Sequence, residues 1–283
     1  MSDHLKGLLI TLFGVLILSP DTLLIRLAGI EPWSLLVYRG LLMAAGMALI
    51  SKYFDPAPLA RQYRDIGRTG MYAAVLFAIS TIAFVNAVSY TTIAHTLVIV
   101  ATAPLFAALY GRLLLGERLK LYTFIAILCV LAGMILVAGE MNGDSDWIGD
   151  TCALISASSI AATFVLNRKN KAVNMVPAIS ISGVLAAIVA LPFAHWVPLD
   201  AHTILMIALM AVVVTVAFVL ITVAPRYIPA AEVSLILPLE TVGGIALAWW
   251  FLGEVPGEKT LWGAAIILSA LMAHSYFILR KTR

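Results

Sequence analysis

Charge is what this 283-residue chain has least of: Asp, Glu, Lys and Arg make up 12% of it, about half the share usual in water-soluble domains. With 62% of the residues apolar, that shortage excludes a soluble globular enzyme. The 18 basic and 15 acidic residues leave a net charge of +3, too little to hold nucleic acid, and they fall in short clusters between uncharged runs. Cysteine is almost absent. Cys129 and Cys152 each lie inside an apolar run, where small buried hydrophobes are expected rather than a disulfide or a metal pair. No phosphate-binding Gly-Lys-Ser/Thr loop, no metal-spaced His/Cys set and no Ser/His/Asp arrangement stands out. Neither catalysis nor a cofactor nor a metal is expected, and ATP is excluded as the direct energy source.

Long hydrophobic runs are abundant. A hydrocarbon core about 30 Å thick takes about 20 mostly apolar residues of helix, and residues 172–199, 201–225 and 260–279 contain no Asp, Glu, Lys or Arg, while the uncharged run 69–111 is long enough for two spans. Counting such windows predicts ten helices, near 5–27, 32–51, 70–90, 94–115, 119–139, 148–167, 175–196, 202–223, 230–252 and 259–279. The first run continues to Leu24-Ile25 with no small-residue cleavage site, which marks a retained helix rather than a signal peptide. The runs are apolar on every side, unlike the alternating strands of a barrel. The fold class is an all-α membrane protein.

With the N-terminus inside, 15 of the 18 Lys and Arg residues fall in cytoplasmic segments, against Arg26 and Lys259 outside and Arg39 within a span. The positive-inside rule then puts both termini in the cytoplasm, for a multi-pass protein of the inner (plasma) membrane. The acidic connection 140–150, with Glu140, Asp144, Asp146 and Asp150, divides the chain into halves 1–142 and 143–283. In the longest connection, 52–69, Leu59, Tyr63 and Ile66 recur at three- and four-residue spacing, the pattern of an amphipathic helix on the inner leaflet or of a solvated loop.

The chain also matches itself. Residues 86–117 superpose without a gap on 223–254 at an offset of 137: Ala87 on Ala224, Tyr90 on Tyr227, Ala94 on Ala231, and Leu115-Gly116-Glu117 on Leu252-Gly253-Glu254. An offset of 142 puts Gly7 on Gly149 and Arg26 on Arg168, and one of 143 puts Gly40 on Gly183. Two five-helix halves result, and because five is odd the second enters the membrane from the opposite side. Such inverted repeats are common among secondary transporters.

The segment Ala103-Pro104-Leu105-Phe106-Ala107-Ala108-Leu109-Tyr110-Gly111-Arg112-Leu113-Leu114-Leu115-Gly116-Glu117-Arg118, with a degenerate second copy from Leu239-Glu240-Thr241 to Leu252-Gly253-Glu254, resembles the paired signature of EamA-type transporters in the drug/metabolite transporter superfamily. The resemblance spans essentially residues 5–279. It implies ten helices and a central cavity lined by the third, fourth, eighth and ninth with help from the first and sixth, serving alternating-access export of small metabolites. Where the motif usually has proline the second copy has Thr241, with Pro238 three residues earlier. The break in the ninth helix is therefore expected about one turn away from its counterpart.

Pro104 and Pro238, each near mid-span, cannot donate a backbone N–H and leave the carbonyls of Val100 and Ser234 without helical partners. They mark helix breaks around a central site, or packing kinks. Asp21 and Arg39 lie about 9–10 Å below the outer surface of the first and second helices and are placed to pair, as a structural ion pair, an outer gate or a carboxylate-binding arginine. Glu240 sits midway along the ninth helix, beyond the reach of headgroups and of snorkelling, as a proton or ammonium site or as a neutral carboxyl bonded to a neighbouring helix. Asn86 and His95 belong to a polar cluster at the outer junction of the third and fourth helices. Ser159 is part of a polar stripe with Ser156, Ser158 and Thr163 on the sixth helix. Tyr38, Phe84, Tyr110, Trp249 and Trp250 offer rings that stack a substrate or face lipid.

The sequence therefore predicts a secondary transporter, monomer or homodimer, driven by a substrate or proton gradient. Its expected partners are a small-molecule substrate, protons and the lipid bilayer. The pairing of Arg39 with Glu240 suits amino acids or related amines, one group for a carboxylate and the other for an ammonium. The alternative, an exporter of hydrophobic organic cations or drugs, needs Glu240 and aromatic rings but not Arg39.

Overall fold

The computed structural model of the protein describes residues 3–90, 93–117, 120–138, 147–196, 198–252 and 257–281, and every regular element among them is helical. In chain order these are α1 (Asp3–Leu18), α2 (Asp21–Ala28), α3 (Pro32–Phe54), α4 (Leu59–Asp65), α5 (Gly67–Tyr90), α6 (Ile93–Val100), α7 (Ala103–Leu115), α8 (Leu121–Ala138), α9 (Trp147–Lys169), α10 (Val176–Ala190), α11 (Ala201–Val223), α12 (Ala230–Ile236), α13 (Leu239–Leu252) and α14 (Glu258–Lys281). Among the described residues seven stretches are long and apolar enough to cross a membrane: Asp3–Ala28, Pro32–Phe54, Gly67–Tyr90, Trp147–Lys169, Val176–Phe193, Ala201–Arg226 and Ala230–Phe251. The fourth, fifth and tenth expected spans fall on α6 with α7, on α8 and on α14; Ala103–Leu115 and Leu121–Leu136 are apolar but shorter.

The helix ends follow local chemistry. Before α3 the Glu31 carboxylate accepts the N–H groups of Trp33 at 3.1 Å and Ser34 at 3.0 Å, satisfying two donors the helix cannot use itself, and Pro32 occupies the first turn where no N–H is needed. The repeated Leu-Gly-Glu motif ends α7 because Gly116 takes a left-handed conformation, φ 67°, and returns its N–H to the Arg112 carbonyl. A side chain there would strain the turn.

Three of the spans are broken. α1 gives way to α2 at Ser19 and Pro20, α6 to α7 at Ala101 and Thr102, and α12 to α13 at Leu237 and Pro238. Pro104 itself lies in the first turn of α7, where its missing N–H costs nothing, so the helix gives way just before it. Under the offset of 137 Ala101 falls on Pro238, which corrects the expected one-turn displacement: the two breaks coincide to within a residue. Nor is the Ser234 carbonyl left bare. It accepts the Leu237 N–H at 3.3 Å, while the Thr102 hydroxyl donates to the Ile99 carbonyl at 2.6 Å, so loosened carbonyls are satisfied locally. The break at Pro20 has no counterpart, since at the offset of 142 it maps onto Ala162 within the continuous α9.

Packing follows the repeat. α5 lies along α9 and α1 along α11, a pair of contacts that the repeat exchanges, while α3 lies along α10 and α8 along α14, each helix against its own repeat mate. At the centre of the α3–α10 contact a Cβ on Gly40 would strike the Gly183 carbonyl oxygen, and one on Gly183 the Gly40 carbonyl oxygen. Residues matched by a repeat touch each other reciprocally near a two-fold axis.

Phe164, Leu35, Met43, Met47 and Met210 fill the interior, whereas Trp250 is 86% exposed and Leu49, Leu113 and Phe251 are exposed with it. Apolar surface on that scale belongs to a protein that meets lipid, and it places Trp249 and Trp250 outward rather than against a ligand. The connection after α3 does form a helix, α4, but its inward face meets protein: Gln62 is buried, the Tyr63 hydroxyl is 2.8 Å from that of Ser180, and Ile66 packs on Met175 and Ala178.

Candidate transport site

All three helix breaks open onto one cavity, lined by Leu18 and Asp21 at the first break, Val100 and Ala101 at the second, and Leu237, Pro238, Glu240 and Thr241 at the third. Broken helices turn backbone and polar side chains inward at a depth where an intact apolar helix offers only hydrocarbon. Arg39 joins from α3, Phe77, Ser80, Thr81 and Phe84 from α5, Leu97 from α6, Ser156 and Ile160 from α9, and Phe218 from α11. These correspond to the first, second, third, fourth, sixth, eighth and ninth expected spans. The second is an addition to the set that the family resemblance implied.

The break at Pro20 makes Asp21 the first residue of α2, at the helix end where a negative charge is favoured. It receives Arg39 in a fork: Nη1 to Oδ1 at 2.7 Å and Nη2 to Oδ2 at 2.8 Å. Both residues are buried, Asp21 at 1% and Arg39 at 3% exposure, and paired this way each offsets the other's desolvation. Arg39 Nε remains a buried N–H with no partner among the described residues. Glu240 lines the same cavity within electrostatic range of both. The site therefore holds two carboxyl groups against one guanidinium, and that guanidinium is already committed to Asp21.

Two other polar residues on the wall, Ser80 and Ser156, are tied to one another. The Ser80 hydroxyl lies 3.1 Å from both the Ser156 hydroxyl and the Ser156 carbonyl oxygen, joining α5 to α9 beside the cavity. Phe77 and Phe218 meet edge to face at 4.8 Å.

Of the residues singled out from sequence, Asp21, Arg39, Glu240, Pro238 and Phe84 converge here with Ser156. The rest lie elsewhere. Tyr38 stands edge-on to Trp196 at 5.9 Å and lines a smaller recess with Glu31, Ser34 and His195. Asn86 donates to the Ile82 carbonyl at 2.8 Å and faces a separate groove with Trp33, Tyr90 and Cys152. The Tyr110 hydroxyl pairs with that of Ser158 at 2.7 Å, and Ser159 is buried with its carbonyl accepting from Thr163. Pro104 begins α7 one turn from the wall. The side chain of His95, and Thr91 and Thr92 entirely, lie outside the described residues. Sequence reasoning passed over Phe77, Ser80, Thr81 and Phe218, and it passed over Ser19-Pro20, whose proline inside an apolar run was the available signal.

Broken membrane helices around a largely apolar cavity that holds buried charges are the arrangement expected of a carrier of small solutes. The EamA-like transporter family model matches residues 5–139 and 147–276, and the chain belongs to that family. It is a multi-pass membrane protein of two-repeat architecture, in a family of transporters rather than enzymes. No curated protein matches the sequence. A solved crystal structure is similar over 99% of both chains with a TM-score of 0.81 at 17% identity, a likeness of fold.

Proposed function

We propose that the protein is a secondary transporter of the inner membrane, with both termini in the cytoplasm, that exports small amines, amino acids among them. The halves 1–142 and 143–283 rock about the cavity to expose it to one side and then the other. The observation that carries this reading is the charge count of the cavity: Asp21 and Arg39 cancel in a two-pronged pair, and Glu240 is left to hold either a proton or an ammonium group. Exchange of one for the other at a single carboxyl couples cargo movement to a proton gradient without ATP. The unpartnered Arg39 Nε–H supplies one hydrogen bond to an acceptor on the cargo, such as a carboxylate oxygen.

A second reading, export of hydrophobic organic cations, is favoured by the rings of Phe77, Phe84 and Phe218 on the wall, which take an apolar body or a cation on a ring face. Both readings need Glu240; only the first uses Arg39.

A thermal-shift screen of the purified protein against amino acids, amines, nucleosides and cationic dyes separates them, because a ligand that binds only the folded state raises its apparent stability. The amine reading expects selective shifts with amines or amino acids that shrink in Glu240→Gln. Shifts with dyes alone, indifferent to Arg39, replace it with the second reading, and shifts undiminished in Glu240→Gln overturn both.

A further inference from the structure

A second cavity lies at the end of the bundle that carries His4. It is lined by Ala107, Ala108 and Gly111 of α7, Glu117, Lys120 and Thr123 around the start of α8, and Pro229, Ala231 and Glu232 at the start of α12. The small side chains of α7 leave the space, and titratable groups from several elements surround it. Glu232 is 3% exposed, with Oε2 3.1 Å from His4 Nε2 of α1. That contact lacks hydrogen-bond alignment, and neither atom has a hydrogen-bond partner among the described residues. A buried carboxylate oxygen held only by a misaligned imidazole keeps capacity for a further donor.

The opposite charge is also present. Lys120 stands at the rim, over the Tyr122 ring at 5.5 Å, close enough to Glu232 to feel its charge. Glu117, the other carboxylate, is engaged by Arg168 at 3.2 Å, and Thr123 lies beside His274 at 3.2 Å. Facing the space are therefore one acidic group, Glu232 beside His4, and one basic group, Lys120 beside Tyr122, together the complement of a zwitterion.

We infer that this cavity is a second cargo site, in which Glu232 takes the ammonium and Lys120 the carboxylate of an amino acid on its way to Glu240. Glu232 and Glu240 belong to the two halves, α12 and α13, of one broken span, so cargo passes from one carboxyl to the next across the break at Pro238. The inference rests on the amine reading of the central site and narrows it, since a site with Lys120 at its rim selects amino acids over simple amines.

The test is equilibrium binding of phenylalanine and of phenethylamine to the full chain in detergent. The account expects phenylalanine to bind wild-type protein at two sites. Glu240→Gln keeps one of them, and Glu240→Gln with Glu232→Gln keeps none. In the Glu240→Gln background Lys120→Met weakens phenylalanine by about tenfold or more, the loss of one charged hydrogen bond, and leaves phenethylamine nearly unchanged. If Glu240→Gln abolishes all binding, the second site is overturned while the central reading stands. Two sites surviving in Glu240→Gln overturn the central reading, and no binding to wild type overturns both. Carbodiimide labelling of wild-type protein needs no variant: phenylalanine should protect Glu232 from modification, and equal labelling with and without it overturns the inference.

Discussion

At the scale of single residues, the account turns on which charges in the central cavity are already spoken for. Asp21 and Arg39 occupy both prongs of each other, so removing one strands the other: Arg39→Ala should lower stability by about 3–5 kcal/mol, seen as a large fall in melting temperature in detergent. Replacing both, as Asp21→Leu with Arg39→Met, should recover most of that loss. Glu240→Gln has the opposite profile, since no partner depends on it: folded yield and melting temperature stay near wild type while amine transport is lost. Asp21, Arg39 and Glu240 were legible in the sequence because an ionisable group inside an apolar run stands out against its neighbours. Phe77, Ser80 and Phe218 were not. Their helices are apolar or weakly polar on every side, so periodicity gives no indication of which face turns inward, and only the assembled bundle selects it.

At the scale of elements, the breaks and the glycine contact decide the shape of the cavity. Gly40 and Gly183 let α3 and α10 meet backbone to backbone, and because the atom in the way is a carbonyl oxygen, not a mobile side-chain tip, Gly40→Ala should destabilise by about 1–3 kcal/mol. The same cost is expected for Gly183→Ala, and unfolding midpoints of the two variants check it. Pro20→Ala restores a donor at the first break, favours continuation of α1 into α2 and turns Asp21 off its line to Arg39. Its expected signature is weakened cargo binding in the thermal-shift screen with the helix content of the circular dichroism spectrum preserved. Element positions were largely readable because a span has a length that the bilayer dictates, and the repeat located two of the three breaks in matching helices. The third escaped because nothing in the second half repeats it: Ala162 continues a helix where Pro20 ends one. Proline in the motif was also a poor guide to the register of the break, since Pro104 begins a half-helix and Pro238 sits in the turn itself.

At the scale of the whole molecule, two-fold-related halves meet around one charged cavity, and contacts at the His4 end tie the halves together. Arg168 of α9 holds Glu117 at 3.2 Å and the carbonyl oxygens of Pro225 and Arg226 at 3.0 and 3.2 Å, a clamp between the end of α7, the end of α9 and the connection before α12. The proposed rocking of the halves requires that clamp to release, so Arg168→Gln should raise the rate of labelling of a cysteine placed at Ala107 from the His4 side, and an unchanged rate would remove the clamp from the proposed cycle. The central claim is that Glu240 carries a proton and an ammonium in turn. Its most direct test is phenylalanine transport in reconstituted vesicles under an imposed pH gradient. The account predicts that the gradient drives phenylalanine against its own concentration gradient with wild-type protein, and that Glu240→Gln and empty vesicles show no such accumulation. Accumulation by Glu240→Gln equal to wild type would contradict it.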